Sequence, residues 1–368
     1  MGKSTKFFLV KKILLLLIII ILFLFVLELF LRFFEKELII PITSRYIKNE
    51  NLIIAYSNRP NYTSNSQVLV DGKVINDFSR WNSISINNQG FRDKEYSYDK
   101  SNNTFRILAI GDSITFGYNV ALENTWSKKL ENKLNNNSNI SFEIINMGVG
   151  GYSLTQEIEQ IRIEYSKYSP DMVIIEYFLN DPHFQEIHTV LDVLSFKELR
   201  AREDIMIEEY DLPFKCAFRN NIAKIRFLTE FSFINIFPLY FQKNLFYDGL
   251  YIHSYEHSHE DICSWLRVQK GFEKLKKLSQ DNDFSILLFV QPALIDYNVH
   301  NLEWIHKKVI TESLKNNFIS IDMYDVYKKV SLNLLLNKNL PEIVHPSEYG
   351  HELIANRLFE ELSSQGLI

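Results

Sequence analysis

Phe105-Arg106-Ile107-Leu108-Ala109-Ile110 runs directly into Gly111-Asp112-Ser113-Ile114-Thr115-Phe116-Gly117. The first six residues are an apolar run of strand length, the pattern of a parallel strand buried on both faces. A glycine then lets the chain turn sharply where the strand ends. Ser113 falls on that turn, at the carboxyl end of the strand and beside a helix start. Open α/β sheets place their reactive groups there. A serine so placed has an exposed hydroxyl, backbone N–H groups for developing negative charge, and the positive end of a helix dipole nearby. The same residues also suit a plainer role, a Ser/Thr pair capping the next helix.

Outward from this stretch the chain alternates strand and helix, which predicts a doubly wound parallel sheet. The expected strands are Phe105–Ile110, Phe142–Asn146, Met172–Tyr177, Phe284–Val290 and Phe318–Ile321. The expected helices are Asn124–Asn135, Gln156–Tyr168, Trp265–Ser279, Leu302–Asn316 and Glu348–Ser363. Ser347, just after Pro346, is a fitting N-cap for the last of them.

Three further motifs follow the serine: Asn146-Met147-Gly148-Val149-Gly150-Gly151-Tyr152-Ser153, Phe178-Leu179-Asn180-Asp181, and His345-Pro346-Ser347-Glu348-Tyr349-Gly350-His351. In this order the four blocks resemble the SGNH (GDSL-type) hydrolase family, over roughly Asn87 to the C-terminus. The stretch from Pro182 to about Asp283 matches poorly. Motif to motif, the family's serine, glycine, asparagine and histidine fall on Ser113, Gly151, Asn180 and His345. The resemblance implies the SGNH fold, a five-stranded parallel sheet of flavodoxin-like winding. It also implies a hydrolase acting on ester bonds, with no metal or organic cofactor. Asn87-Asn88-Gln89-Gly90-Phe91-Arg92 is similar to a segment that precedes the serine block in membrane-anchored members. Arg92 is then either a cleft residue or, the plainer reading, half of a surface salt bridge.

In that family scheme Ser113 is the nucleophile and His345 the base. The oxyanion hole consists of the backbone N–H groups of Ser113 and Gly151 and the side-chain amide of Asn180. Glycine at 151 leaves room for a substrate carbonyl. Each residue has a plainer reading: Gly151 as a turn glycine, Asn180 as an Asx cap, His351 as a structural helix residue. The chain departs from the family at Glu342-Ile343-Val344-His345, where members usually carry aspartate three residues before the histidine. Glutamate offers the same carboxylate on a longer arm. Glu342 is therefore expected to orient His345, with a Ser113–His345 dyad as the rival.

The chain has 368 residues, 46% of them apolar, enough for a substantial core. A net charge of −5 gives no reason to expect nucleic-acid binding. Lys3, Lys6, Lys11 and Lys12 precede Ile13–Leu31, which is apolar except for Glu28. As a helix that run spans roughly 28 Å, about one hydrocarbon core. No Ala-X-Ala-like cleavage site is seen, so an uncleaved anchor is expected, with a cleaved signal peptide as the rival. The expected organisation is a cytoplasmic basic N-terminus (1–12), a transmembrane signal anchor (13–31), a stalk and β-rich extension (32–98), and a hydrolase domain (99–368). The positive-inside rule then places the hydrolase domain outside the cytoplasm, in the periplasm or at the cell surface. Cys216 and Cys263 suit a disulfide in that compartment or two buried thiols equally well.

Within the extension, Gln67–Val70 and Lys73–Ile75 flank Asp71-Gly72, a hairpin signal, and Ser83–Ile86 alternates as a further strand. Residues 182–262 break the strand–helix rhythm with many aromatic residues. Their place after Asn180 makes them a candidate lid or substrate-binding cap. Most of the rings are expected to hold the insertion down. His253, His257 and His259 match no zinc spacing, and a solvated loop is the plainer reading. The sequence as a whole points to a membrane-anchored esterase acting on an O-acyl ester, such as acetylated carbohydrate, with an acylated glycan or lipid as substrate. An O-acyltransferase on the same site and a glycan-binding protein on the same scaffold are the alternatives.

Overall fold

A computed structural model describes residues 45–63, 67–70, 73–76, 84–183, 196–213, 216, 247–297, 299–336 and 343–366, and isolated positions between 11 and 23. Nearly all fall in one unit, Thr43–Ala217 with Asp248–Ile368. The other, Met1–Ile42 with Phe218–Tyr247, is described only at those isolated helical positions and at Tyr247.

Five strands form the parallel sheet: β5 (Thr104–Ile110), β6 (Ser141–Asn146), β7 (Met172–Tyr177), β8 (Ser285–Val290) and β9 (Ile319–Asp322). Their spatial order is β6-β5-β7-β8-β9, with every neighbouring pair parallel. This is the doubly wound, flavodoxin-like order, whose winding reverses between β5 and β7. The segments that leave β5 and β7 at their carboxyl ends therefore flank the switch point. They carry Ser113 and Asn180.

The eight labelled helices are α1 (Ser113–Phe116), α2 (Trp126–Asn137), α3 (Leu154–Tyr168), α4 (Phe196–Glu209), α5 (Tyr247–Glu260), α6 (Ile262–Asn282), α7 (Glu303–Lys315) and α8 (Glu348–Ser364). Alternate residues of each strand face opposite layers. Leu108, Ile110, Val173, Ile175 and Leu288 pack with Ile158 and Ile161 of α3, Phe272 of α6 and Val309 of α7. Ile107, Ala109, Ile174, Leu287 and Phe289 pack with Trp126 and Leu130 of α2 and Ile354 and Leu358 of α8. Burial on both faces explains why these strands read as continuous apolar runs rather than alternating ones.

The expected core strands all form, their ends shifted by at most one residue. The helices form too, several with longer ends. Helix α6 begins at Ile262, because Asp261 caps it by accepting from the Cys263 and Ser264 N–H groups. The hairpin forms as β3 (Gln67–Val70) and β4 (Lys73–Asn76). Ser83–Ile86 is a correction: Ser85 makes only an isolated bridge to Thr63, while Ile84 and Ile86 pack against Phe116. Alternation there reports burial of one side without a strand partner. The extension contributes a second small ladder, β1 (Tyr46–Lys48) with β2 (Tyr56–Asn58). Tyr46, Ile54 and Tyr56 pack on Val149 and Tyr152, against the block that contains Gly151.

Cys216 and Cys263 are joined in a disulfide with a Cα–Cα distance of 5.4 Å, tying the segment after α4 to α6. Among the described residues no helix is long and apolar enough to cross a membrane. The 13–31 run lies almost wholly outside them. So do residues 184–195 and 217–246 of the insertion, with most of its aromatic residues. Its described part packs as core. Helix α5 sets Tyr255 edge-on to Phe178, with ring centroids 5.6 Å apart, and His259 donates to or accepts from the Tyr177 hydroxyl at 3.0 Å. The three histidines part company accordingly. His259 is buried, while His253 and His257 stack on each other at 6.4 Å. Among the described residues no group of three His, Cys, Asp or Glu side chains is placed to hold a metal ion.

Candidate active site

Ser113 is the first residue of α1, but it is not the cap. Asp112 caps the helix, its Oδ1 accepting from the Ile114 N–H at 2.8 Å. The serine hydroxyl is thereby free of a structural task, and its partner is catalytic in type. His345 Nε2 lies 2.7 Å from Ser113 Oγ, across a sequence separation of 232 residues. Tyr118, just beyond α1, sets its ring 4.8 Å from the His345 ring, tilted by 41°. The imidazole is held between the serine and an aromatic face. His351, one turn into α8, is buried and accepts from the Trp126 N–H at 3.2 Å, a structural role.

Gly151 adopts φ +80°, a left-handed conformation that a side chain would strain. Gly148, in the same block, is fixed by close approach instead: a Cβ there would meet the Phe116 backbone nitrogen at 2.2 Å. That contact seats the block after β6 directly on α1. Asn146 completes the joint. Its amide donates to the Thr115 carbonyl at 2.8 Å and its oxygen accepts from the Gly148 N–H at 3.1 Å.

Asn180 follows β7, and its amide donates to Asp112 Oδ2 at 3.3 Å. Asp112 thus holds α1 with one oxygen and aims the Asn180 amide with the other. Sequence reasoning passed over this residue, although its position inside Gly-Asp-Ser was the available signal. Arg92 was also misread. It is buried, neither in the cleft nor in a surface salt bridge, and donates to the carbonyls of Phe116, Gly117 and Val120. It clamps the turn that presents Tyr118 to His345. Glu342 lies outside the described residues.

Beneath α1 lies a group of buried carboxyls, Asp112, Glu157, Glu176 and Asp181. Glu176 Oε2 accepts from the Thr115 hydroxyl at 3.1 Å. Burial first, and then the nearby carboxylates of Asp181 for Glu157 and Asp112 for Glu176, push both well above the usual carboxylate range. Burial followed by the Asp112 charge does the same to Asp181. The sign follows from linkage: the folded protein keeps protons that the unfolded chain releases, so these groups cost stability as pH rises above the ordinary carboxylate range. Glu157→Gln should therefore gain stability over the parent, and the gain should grow between about pH 5 and about pH 8 in urea unfolding. A constant difference across that window would remove Glu157 from the protonated group.

A hydroxyl and an imidazole in hydrogen-bond contact at the carboxyl edge of a doubly wound sheet are the arrangement that a hydrolase on an α/β fold requires. Residues 107–210 match the sequence model of the GDSL-like Lipase/Acylhydrolase family. That stretch is a GDSL-like lipase/acylhydrolase domain, and the chain is a hydrolase acting on ester bonds. Solved structures resemble it more remotely. An esterase from Pseudoalteromonas sp. is 15% identical over 72% of this chain and 99% of its own, with a TM-score of 0.39. A lipase/acylhydrolase from Enterococcus faecalis is 14% identical over 71% and 96%, with a TM-score of 0.39. An acetylxylan esterase from Geobacillus stearothermophilus is 14% identical over 70% and 94%, with a TM-score of 0.37. No curated protein matches the chain significantly.

Proposed function

We propose that this hydrolase is a membrane-anchored, extracytoplasmic serine esterase that cleaves O-acyl esters. The observation that carries the mechanism is the 2.7 Å contact between Ser113 Oγ and His345 Nε2. His345 takes the hydroxyl proton as Ser113 attacks the ester carbonyl, then returns it to the leaving alcohol. The backbone N–H groups of Ser113 and Gly151 and the Asn180 amide receive the oxyanion. Water then releases the acyl group from Ser113. The direct test is a fluorophosphonate probe: an adduct on the Ser113 peptide, together with hydrolysis of p-nitrophenyl acetate, supports this reading. Hydrolysis without a Ser113 adduct would move the nucleophile elsewhere.

Glu342 is proposed as the acid that accepts the other imidazole proton, stabilising the imidazolium. Glu342→Gln should then lower turnover by about a hundredfold or more, while Glu342→Asp keeps or raises it, since Asp supplies the same carboxylate. A Gln variant within a few-fold of the parent would leave Ser113 and His345 acting as a dyad.

The location rests on the lysine cluster ahead of Ile13–Leu31, and the Cys216–Cys263 disulfide suits an oxidising compartment. A membrane-impermeant protease added to cells with a permeable outer barrier should digest the hydrolase domain. Protection until lysis would reverse the topology. An anchored enzyme outside the cytoplasm has envelope glycans and lipids within reach, and an acetyl ester on carbohydrate is the substrate we favour.

A further inference from the structure

Arg45, at the edge of β1, brings a charge to the nucleophile that the family motifs do not contain. Its guanidinium carbon lies 4.6 Å from the Tyr46 ring centroid, 4.8 Å from that of Phe116 and 5.8 Å from that of Tyr118. Phe116 ends the helix that begins with Ser113, and Tyr118 packs on His345. One Nη donates to the Tyr46 hydroxyl, and Nε is buried without a partner among the described residues. No carboxylate among the described residues pairs with it. Burial works against its charge, and the phenol oxygens of Tyr46, Tyr118 and Tyr62 outweigh that and raise its pKa. A second cation stands close: Arg92 lies over the same Phe116 ring at 5.2 Å, its donors directed at backbone carbonyls.

The guanidinium reaches the glycine block beside the serine. A Cβ on Gly150 would lie 2.6 Å from the Tyr46 hydroxyl, 3.4 Å from Arg45 Nη2 and 3.8 Å from Ser113 Cβ, so all three side chains converge on this glycine. The Gly150 carbonyl is anchored by Tyr56, whose hydroxyl donates to it at 3.0 Å, so the backbone there is held in place. A half-buried cation with no carboxylate partner among the described residues thus lies across Gly150 from the serine. Leaving such a cation unpaired is costly, and an anion brought by the ligand would make charge-assisted, bidentate hydrogen bonds to it.

We propose that Arg45 determines specificity by binding an anionic group, carboxylate or phosphate, that the ester substrate carries close to its scissile acyl group. This deepens the esterase reading and rests on Ser113 as nucleophile. The full-length chain would be assayed on three mono-O-acetylated sugars: methyl glucoside, glucuronic acid and glucose 6-phosphate. Released acetate is the readout, and p-nitrophenyl acetate establishes separately that the site turns over. In the parent, at least one anionic sugar should exceed the neutral one in kcat/KM by about tenfold or more, chiefly through KM. The two anionic arms tell carboxylate from phosphate. Arg45→Gln should bring that ratio close to one. Equal parent rates on neutral and anionic sugars, or an Arg45→Gln variant that keeps the preference or loses all substrates alike, would overturn the proposal. If that variant fails to fold, salt decides on the parent: the anionic preference should shrink as ionic strength rises, and a salt-independent preference counts against Arg45. If nothing is hydrolysed, the esterase reading fails by itself. Calorimetric binding of glucuronic acid and glucose 6-phosphate then tests Arg45 alone. Binding that Arg45→Gln abolishes supports it, and binding that is absent or unchanged overturns it.

Discussion

Ser113→Ala should reduce ester turnover by about 10⁴-fold or more, to the residual rate of a site that only binds and polarises its substrate. The hydroxyl lies 2.7 Å from His345 Nε2, so this nucleophile has its base already in contact. The fold should survive. Asp112, not Ser113, caps α1, and the backbone N–H groups of Gly117 and Tyr118 bond to the Ser113 carbonyl, which alanine retains. The variant should therefore melt within a degree or two of the parent while losing both p-nitrophenyl acetate hydrolysis and fluorophosphonate labelling. Parent-like turnover would remove Ser113 as the nucleophile. A collapse in melting temperature would show that the hydroxyl carries structure instead.

Asn180→Ala should lower kcat by about 10²–10³-fold with little change in KM. The reason is that an oxyanion donor acts mainly on the transition state. Asn180→Asp should do at least as much damage, because it adds a carboxylate beside Asp112, whose Oδ2 now accepts from the Asn180 amide at 3.3 Å. Repulsion of a developing oxyanion adds to that penalty. If Asn180→Asp matched the parent, the amide would not be an oxyanion donor. Asp112→Asn offers an internal check, since it weakens the aim of Asn180 without touching the substrate. It should reduce kcat less than Asn180→Ala does.

Legibility in the sequence followed locality. The central strands were readable because they are buried on both faces, so their composition declares them without reference to neighbours. The glycine turn after the first core strand and the Ser347 cap were readable for the same reason: Ser347 acts on the Gly350 N–H three residues away. Arg92 was misread because nothing local distinguishes an arginine on the surface from one donating to three carbonyls more than twenty residues away. Ser83–Ile86 was misread because alternation records which side is buried and not whether a neighbouring backbone supplies hydrogen bonds. Asp112 was overlooked because its second task, aiming Asn180, spans 68 residues.

From the sequence alone came the identity of the parts: a serine after a buried strand, three later motifs in order, and the expectation of a doubly wound sheet. Those are short-range properties, set by apolar periodicity and by which residues tolerate a turn. The tertiary structure alone decided which parts meet. It set Ser113 against His345, made Asp112 the cap and the partner of Asn180, and joined Cys216 to Cys263. It also carried Arg45 from the extension to Gly150, beside the nucleophile. Such meetings depend on chain segments far apart in sequence, brought together by burial of both sheet faces, and no local pattern encodes them.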